Sequence, residues 1–267
     1  MKARVLTALI GIPIVFGLVR FGGWPFVAAV LALALVSLGE ISSAVKRSSL
    51  SPSLSLFSVP CAISLALSFL CLQLKSPTFQ LAPLLGEVTL VLWIVAIFRF
   101  KKEGAQDGRL LLSLSLSMLA LAYLSLWAFV VLLRDRGEAW MWVALLGVWA
   151  SDIAAFFVGR ARGMTPLSPL SPGKSREGAL GGFVATVVVC ACLGASTSIG
   201  IGAALACGVL VGVAAPLGDL AESLWKRELG VKDMGSILPG HGGVMDRCDS
   251  LLFASVVVYA VAVVLQR

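Results

Sequence analysis

Long apolar runs alternate with short polar stretches along the chain, and nine of the runs are long enough to cross a bilayer. They cover residues 5–19, 25–45, 54–74, 81–98, 110–133, 140–158, 178–199, 201–225 and 250–265, each bounded by charge, proline or glycine. The period-two alternation of barrel strands is missing from all of them. In hydrocarbon an unpaired backbone N–H or C=O is prohibitive, so such runs must be helices. The pattern predicts an all-α, polytopic integral membrane helical bundle of about nine transmembrane helices. Helices 1–5 fill residues 1–135, and helices 6–9 with their loops fill 136–267. The first run follows Lys2 and Arg4 as a signal peptide would. A second run comes almost at once with no clean cleavage site between, which favours a retained helix. Residues 48–58, rich in Ser, Leu and Pro, read as an irregular entry to the third helix.

Composition removes the soluble alternative. Of 267 residues, 59% are hydrophobic and only 13% charged, with mean hydropathy +0.99; an ordinary soluble domain is about 25% charged. A net charge of +7 would suggest nucleic acid in a soluble chain, but here the basic residues sit between apolar runs and no nucleic-acid partner is expected. Their distribution sets orientation instead. With nine spans, 16 of the 21 Lys and Arg fall in loops on the N-terminal side, including Lys46, Arg47, Arg160, Arg162, Lys226 and Arg227. Short basic loops stay in the cytoplasm, so the N-terminus is expected inside and the C-terminus outside. The six cysteines lie in or beside apolar runs without a CxxC pair, and with a single histidine they do not make a zinc site. They are expected to be small buried side chains.

Most of the polar chemistry falls in two loops on the cytoplasmic side, 159–177 and 226–249, and beside them carboxylates intrude into apolar runs. Glu40, Asp152, Asp219 and Glu222 each stand where an ionised group costs about 2.5 to 3.5 kcal/mol on insertion scales and needs a partner or a watery cavity. For Glu40, with Lys46 and Arg47 close behind, a helix-end residue reaching the interface is the plain alternative. Asp152 lies well inside its run. On the eighth helix Asp219, Glu222, Ser223 and Lys226 share one face, following Pro216 and Gly218, where a bend and an opening are expected. A Glu222–Lys226 ion pair at i,i+4 is the competing reading of that stripe. Asp246 and Asp249 enter the ninth helix at i,i+3, where the helix dipole favours anions. Two carboxylates beside Arg247 and a glycine-rich turn exceed what one cap needs. Hard oxygen donors of this kind suit magnesium completed by substrate phosphates, and we expect Asp219 to meet Asp246 or Asp249 to hold it.

Positive charge surrounds these acids: Lys174, Arg176, Lys226, Arg227, Lys232 and Arg247 favour a polyphosphate ligand. Backbone N–H groups of the turn Gly240-His-Gly-Gly243, Gly242 and Gly243 included, could cradle phosphate oxygens as an anion-binding nest. His241, the single histidine, sits between glycines and is a candidate for phosphate contact or proton transfer. A P-loop GxxxxGK[ST] is absent from the sequence.

The run Ser223-Leu-Trp-Lys-Arg-x4-Lys232-Asp-x-Gly-x2-Leu238-Pro-x-His241-Gly-Gly-Val-x-Asp246-Arg-Cys-Asp249 closely resembles the pattern of the phosphatidate cytidylyltransferase, or CDP-diglyceride synthetase, family. A second stretch, Ser151-Asp-Ile-Ala-Ala-Phe-Phe-x-Gly159 followed by Leu170-Ser-Pro-Gly-Lys174-Ser-Arg-Glu177-Gly-x2-Gly-Gly182, is similar to the family too. Trp225 and Cys248 depart from it. The resemblance implies magnesium-dependent transfer of CMP from CTP to phosphatidate, giving CDP-diacylglycerol and pyrophosphate in phospholipid biosynthesis at the inner membrane. It implies Asp219, Asp246, Lys226, His241 and Asp249 as catalytic residues, the three aspartates also as metal ligands with room for an additional monovalent cation. Lys174, Arg176, Ser223, Arg227, Lys232, Gly242, Gly243, Arg247 and Asp152 would bind substrate, and the protein would be a homodimer. The CDP-alcohol phosphatidyltransferase pattern DGxxAR…GxxxDxxxD is missing from the sequence. A transporter with a broken helix and an intramembrane Asp is the remaining alternative class. The charge asymmetry yields a direct test of orientation: alkaline phosphatase fused after Arg267 is expected to be active, and a cytoplasmic reading there contradicts the nine-helix arrangement.

Overall fold

The structure is a computed structural model that describes residues 2–48, 109–237 and 242–265. These form seven helices and one short hairpin: α1 (Lys2–Phe21), α2 (Gly23–Arg47), α3 (Arg109–Arg136), α4 (Glu138–Arg162), β1 (Pro166–Ser168), β2 (Ser171–Ser175), α5 (Arg176–Ser196), α6 (Ile201–Glu228) and α7 (Met245–Leu265). The fold is all-α apart from that antiparallel hairpin, which stands within the loop expected over residues 159–177. Seven of the nine expected runs are helical, and runs 54–74 and 81–98 lie outside the described residues. By length and composition α2, α4, α5, α6 and α7 are each apolar enough to cross a membrane, and Leu9–Phe21 of α1 is a shorter apolar stretch. Ile12, Phe16, Phe156, Phe157, Val184 and Val213 are all more than half exposed. In water each forgoes about 1.5 to 3 kcal/mol of burial; against lipid chains that penalty vanishes, as in a membrane protein.

The described chain divides into two compact units, Met1–Val131 with Leu224–Arg247, and Leu132–Ser223 with Cys248–Arg267. In the first, α2 buries Phe26, Val30, Ala34, Leu38, Ile41 and Val45, a stripe at helical spacing. Trp225, one of the departures from the family pattern, is fully buried with its ring centroid 6.0 Å from that of Tyr123.

Small residues control the second unit. The buried face of α5 is Gly178, Gly182, Thr186, Cys190 and Gly194, every fourth position. A Cβ at Gly178 would lie 2.7 Å from Ala155 O, and one at Gly182 2.8 Å from Ser151 O, so α4 and α5 approach backbone to backbone. The Thr186 hydroxyl sits 3.1 Å from Gly147 O and 2.9 Å from Gly182 O, placing its donated proton at the contact. On α6, Gly208 abuts Val187 Cα at 2.9 Å and Gly212 abuts the Phe183 ring at 2.6 Å, measured from the Cβ each lacks. Gly218 does the same for α6 and α7: its Cβ would lie 2.7 Å from Asp249 O. Helical structure continues through Pro216 from Ile201 to Glu228, so the expected opening there is not a break in α6. Cys190 and Cys207 are buried as expected, but Cys192 is exposed, because two residues along α5 reverses the face; Cys61 and Cys71 lie outside the described residues.

A side chain forced into the α4–α5 contact must separate the helices. Gly182→Val is therefore expected to destabilise the detergent-solubilised protein by about 1 to 3 kcal/mol, read as a lower unfolding temperature. Gly17→Ala, with nothing within 4 Å of the added carbon, is expected to shift stability by less than about 0.5 kcal/mol.

Candidate functional site

The sequence-predicted polar residues gather in two clusters, one in each unit. In the second unit the connection from α4 to α5 is tied down first. Glu177 Oε2 accepts from Met164 N and Thr165 N at 3.2 Å each, Arg176 N donates to Thr165 O at 2.9 Å, and the Ser175 hydroxyl caps α5 by accepting from Gly178 N at 3.0 Å. These bonds close the hairpin and set the end of β2, from which Lys174 forms an ion pair with Asp219 on α6. Asp249 on α7 lies beside the Glu222 carboxyl and within electrostatic reach of Asp219 and Lys174, while its Oδ1 accepts from Ser250 N at 2.7 Å. Glu222 is 1% exposed and Asp249 6%. Two helices thus carry three carboxyl groups, and the end of β2 brings one lysine to them.

In the first unit Asp246 is the hub. Its Oδ1 accepts from Lys226 Nζ at 2.9 Å, and its Oδ2 from Gly243 N at 2.9 Å and Met234 N at 3.1 Å. The Asp246 side chain is almost fully buried, so these donors replace water. Gly242 has φ +90, and a Cβ there would stand 3.2 Å from Asp246 Oδ2, so the turn needs glycine for both conformation and space.

Sequence reasoning assigned Glu40 no site role, and the structure overturns the interfacial alternative offered for it. The residue is 3% exposed on α2 and accepts from Val244 N at 2.9 Å and Met245 N at 3.0 Å. Its presence inside an apolar run was the available signal; its partners are backbone groups 204 and 205 residues away.

The remaining candidates are placed less centrally. Arg176, Arg227, Lys232 and Arg247 are exposed, Ser223 is half-buried, and Asp152 is exposed on α4. His241 lies outside the described residues.

Among the described residues no group of three or more His, Cys, Asp and Glu side chains has the geometry of a complete metal site. The donor chemistry still fits a hard cation. Asp219 and Asp249 offer carboxylate oxygens within electrostatic reach of each other, and the lysine ammonium at Asp219 shows that this place attracts positive charge. Asp246 is less open, since N–H donors meet both of its oxygens and a cation would have to share them. A cavity of about 560 Å³ in the second unit, lined by Arg136, Trp140, Trp142, Ser198 and Ala203 among others, contains none of these acids. Ala203 and Asp219 are sixteen residues apart on α6, about 24 Å along its axis.

Apolar helices that carry buried carboxylates and lysines, with a glycine-rich turn beside Asp246, define a membrane enzyme suited to phosphate chemistry. The chain belongs to the Cytidylyltransferase family, whose sequence profile matches residues 2–265, and is a nucleotidyltransferase. Its relatives include a phosphatidate cytidylyltransferase of Synechocystis, 32% identical over 98% of this chain and 96% of the relative, and that of Bacillus subtilis, 31% identical over 97% and 96%. A Helicobacter pylori phosphatidate cytidylyltransferase is 45% identical over 128 residues, 48% of each chain.

Breaking the Lys226–Asp246 pair leaves a buried carboxylate with backbone donors only. Lys226→Met is expected to cost about 3 kcal/mol of stability, whereas Lys226→Arg retains most of it; thermal unfolding in the same detergent distinguishes the two.

Proposed function

We propose that this protein transfers CMP from CTP to phosphatidate, forming CDP-diacylglycerol and releasing pyrophosphate. The match to relatives of this activity over nearly the whole chain is the observation that carries the reading, and the two acid–lysine clusters are the chemistry it requires. A phosphate oxygen of phosphatidate attacks the α-phosphorus of CTP, a new P–O–P link forms, and the bond to the β-phosphate oxygen breaks in line. Magnesium would be held by Asp219 and Asp249 in one cluster, and Asp246 is assigned as a ligand in the other; when bound, the ion offsets charge on the transferring group and on pyrophosphate. Lys174 and Lys226, each already paired with an acid, are the cations available to neutralise phosphate oxygens. Arg176, Arg227, Lys232 and Arg247, exposed at helix ends and in the following loop, draw in the nucleotide. His241 and Gly242 are assigned to phosphate contact, the Gly243 N–H that the sequence offered for it being taken by Asp246, and Ser223 and Asp152 are assigned to substrate positioning.

Such a site belongs at the end of apolar helices because the lipid's acyl chains stay in hydrocarbon while its headgroup meets a soluble nucleotide. We assign the enzyme to the inner membrane with its N-terminus and active site facing the cytoplasm, and to a homodimer. Gly178, Gly182, Gly208 and Gly212 are already spent on contacts within one chain, so a second copy would use another face.

Purified protein given CTP, phosphatidate and magnesium is expected to release pyrophosphate and CDP-diacylglycerol in equal amounts, and Asp219→Asn to lower turnover by at least about 100-fold. Cation-driven uptake without pyrophosphate release would favour the transporter reading instead.

A further inference from the structure

Resting on the reaction just proposed, we infer that Glu40 is a positioning residue for it: through the first turn of α7 it sets where Asp246 and its Lys226 partner stand. The first N–H groups of a helix have no partner within the helix and carry the positive end of its dipole. On α7 two of the N–H groups at that end, those of Val244 and Met245, are both taken by Glu40, one by each carboxylate oxygen. The neighbouring N–H of Gly243 and the more distant N–H of Met234 are taken by Asp246. Two carboxylates therefore share one short stretch of backbone between them, and moving either displaces the other.

Steric fit points the same way. A Cβ on Gly243 would lie 2.7 Å from Glu40 Oε2, and one on Gly235 would collide with the same carboxylate. Two glycines of the loop are thus shaped around a side chain from α2. Seven residues further along that helix, Arg47 Nη2 donates to Met234 O at 3.0 Å, so α2 grips the segment at two points about 10 Å apart. A cap alone would need one acceptor and no glycines. This arrangement fixes the register of the segment that presents Asp246.

The test uses full-length protein in detergent with CTP and phosphatidate. Glu40→Gln keeps the size but turns an N–H donor toward a backbone N–H. Its kcat is expected to fall about 10- to 100-fold with KM for CTP within about 3-fold of wild type. Because both residues act through Asp246, Glu40→Gln in a Lys226→Arg background is expected to cost clearly less than it does alone. Should Glu40→Gln not fold, Gly243→Ala, which pushes on the same carboxylate, is read in the same cycle with the same expectation. Unchanged kcat, or losses that multiply independently, overturns the inference. A wild-type protein that makes no CDP-diacylglycerol sinks the proposed reaction and this inference together, whereas an active wild type with an equally active Glu40→Gln overturns this inference alone.

Discussion

Taking a carboxylate out of water costs several kcal/mol unless donors meet it where it lands, and this chain carries several such groups into apolar helices. Their compensation organises both units. Glu40 is met by two backbone N–H groups, Asp246 by two more and an ammonium, and Asp219 by Lys174. Each solution ties together elements far apart in sequence, so the polar groups act as the fasteners of a fold whose apolar surfaces are otherwise interchangeable. On the reaction proposed above, Asp219, Asp246 and their lysine partners are also the groups a polyphosphate and its cation would engage. A protein built this way holds its reactive side chains in place before substrate arrives, which is the condition for electrostatic catalysis.

The close approach of α4, α5 and α6 serves this end. Without the glycine stripe on α5 the helices would stand apart by the width of a side chain, and the hairpin between α4 and α5 would not be drawn tight. Glu177 and Ser175 complete that connection with short backbone bonds. Lys174 consequently reaches Asp219 from a braced strand end.

Much of this was written in the sequence in the form of periodicity and misplaced charge. Long apolar runs announced the helices because hydrocarbon permits little else. Asp219 and Glu222 stood out because ionised groups are costly there, Asp246 and Asp249 because two carboxylates at a helix entry exceed what a cap needs, and helical spacing alone put each pair on one face. Partners were the illegible part. The Lys226–Asp246 pair spans 20 residues and was hidden behind a local alternative, Lys226 with Glu222 at i,i+4. Glu40 resembled an interfacial residue because Lys46 and Arg47 follow it, and backbone N–H groups, common to all residues but proline, leave no mark in a sequence. The hairpin was missed because strands as short as three and five residues carry no readable alternation. Cys192 was misjudged because hydropathy records a small apolar side chain without saying which face of the helix it occupies.

The fit of one carboxylate between two glycines has a consequence for modularity. The family signature occupies the C-terminal half, which suggests a self-contained catalytic cassette with an exchangeable membrane anchor in front. Glu40 contradicts that division, since an early helix supplies part of the wall against which the signature loop is moulded. In a hybrid assembled from two relatives, the second helix and the loop that ends at Asp246 would have to descend from the same parent.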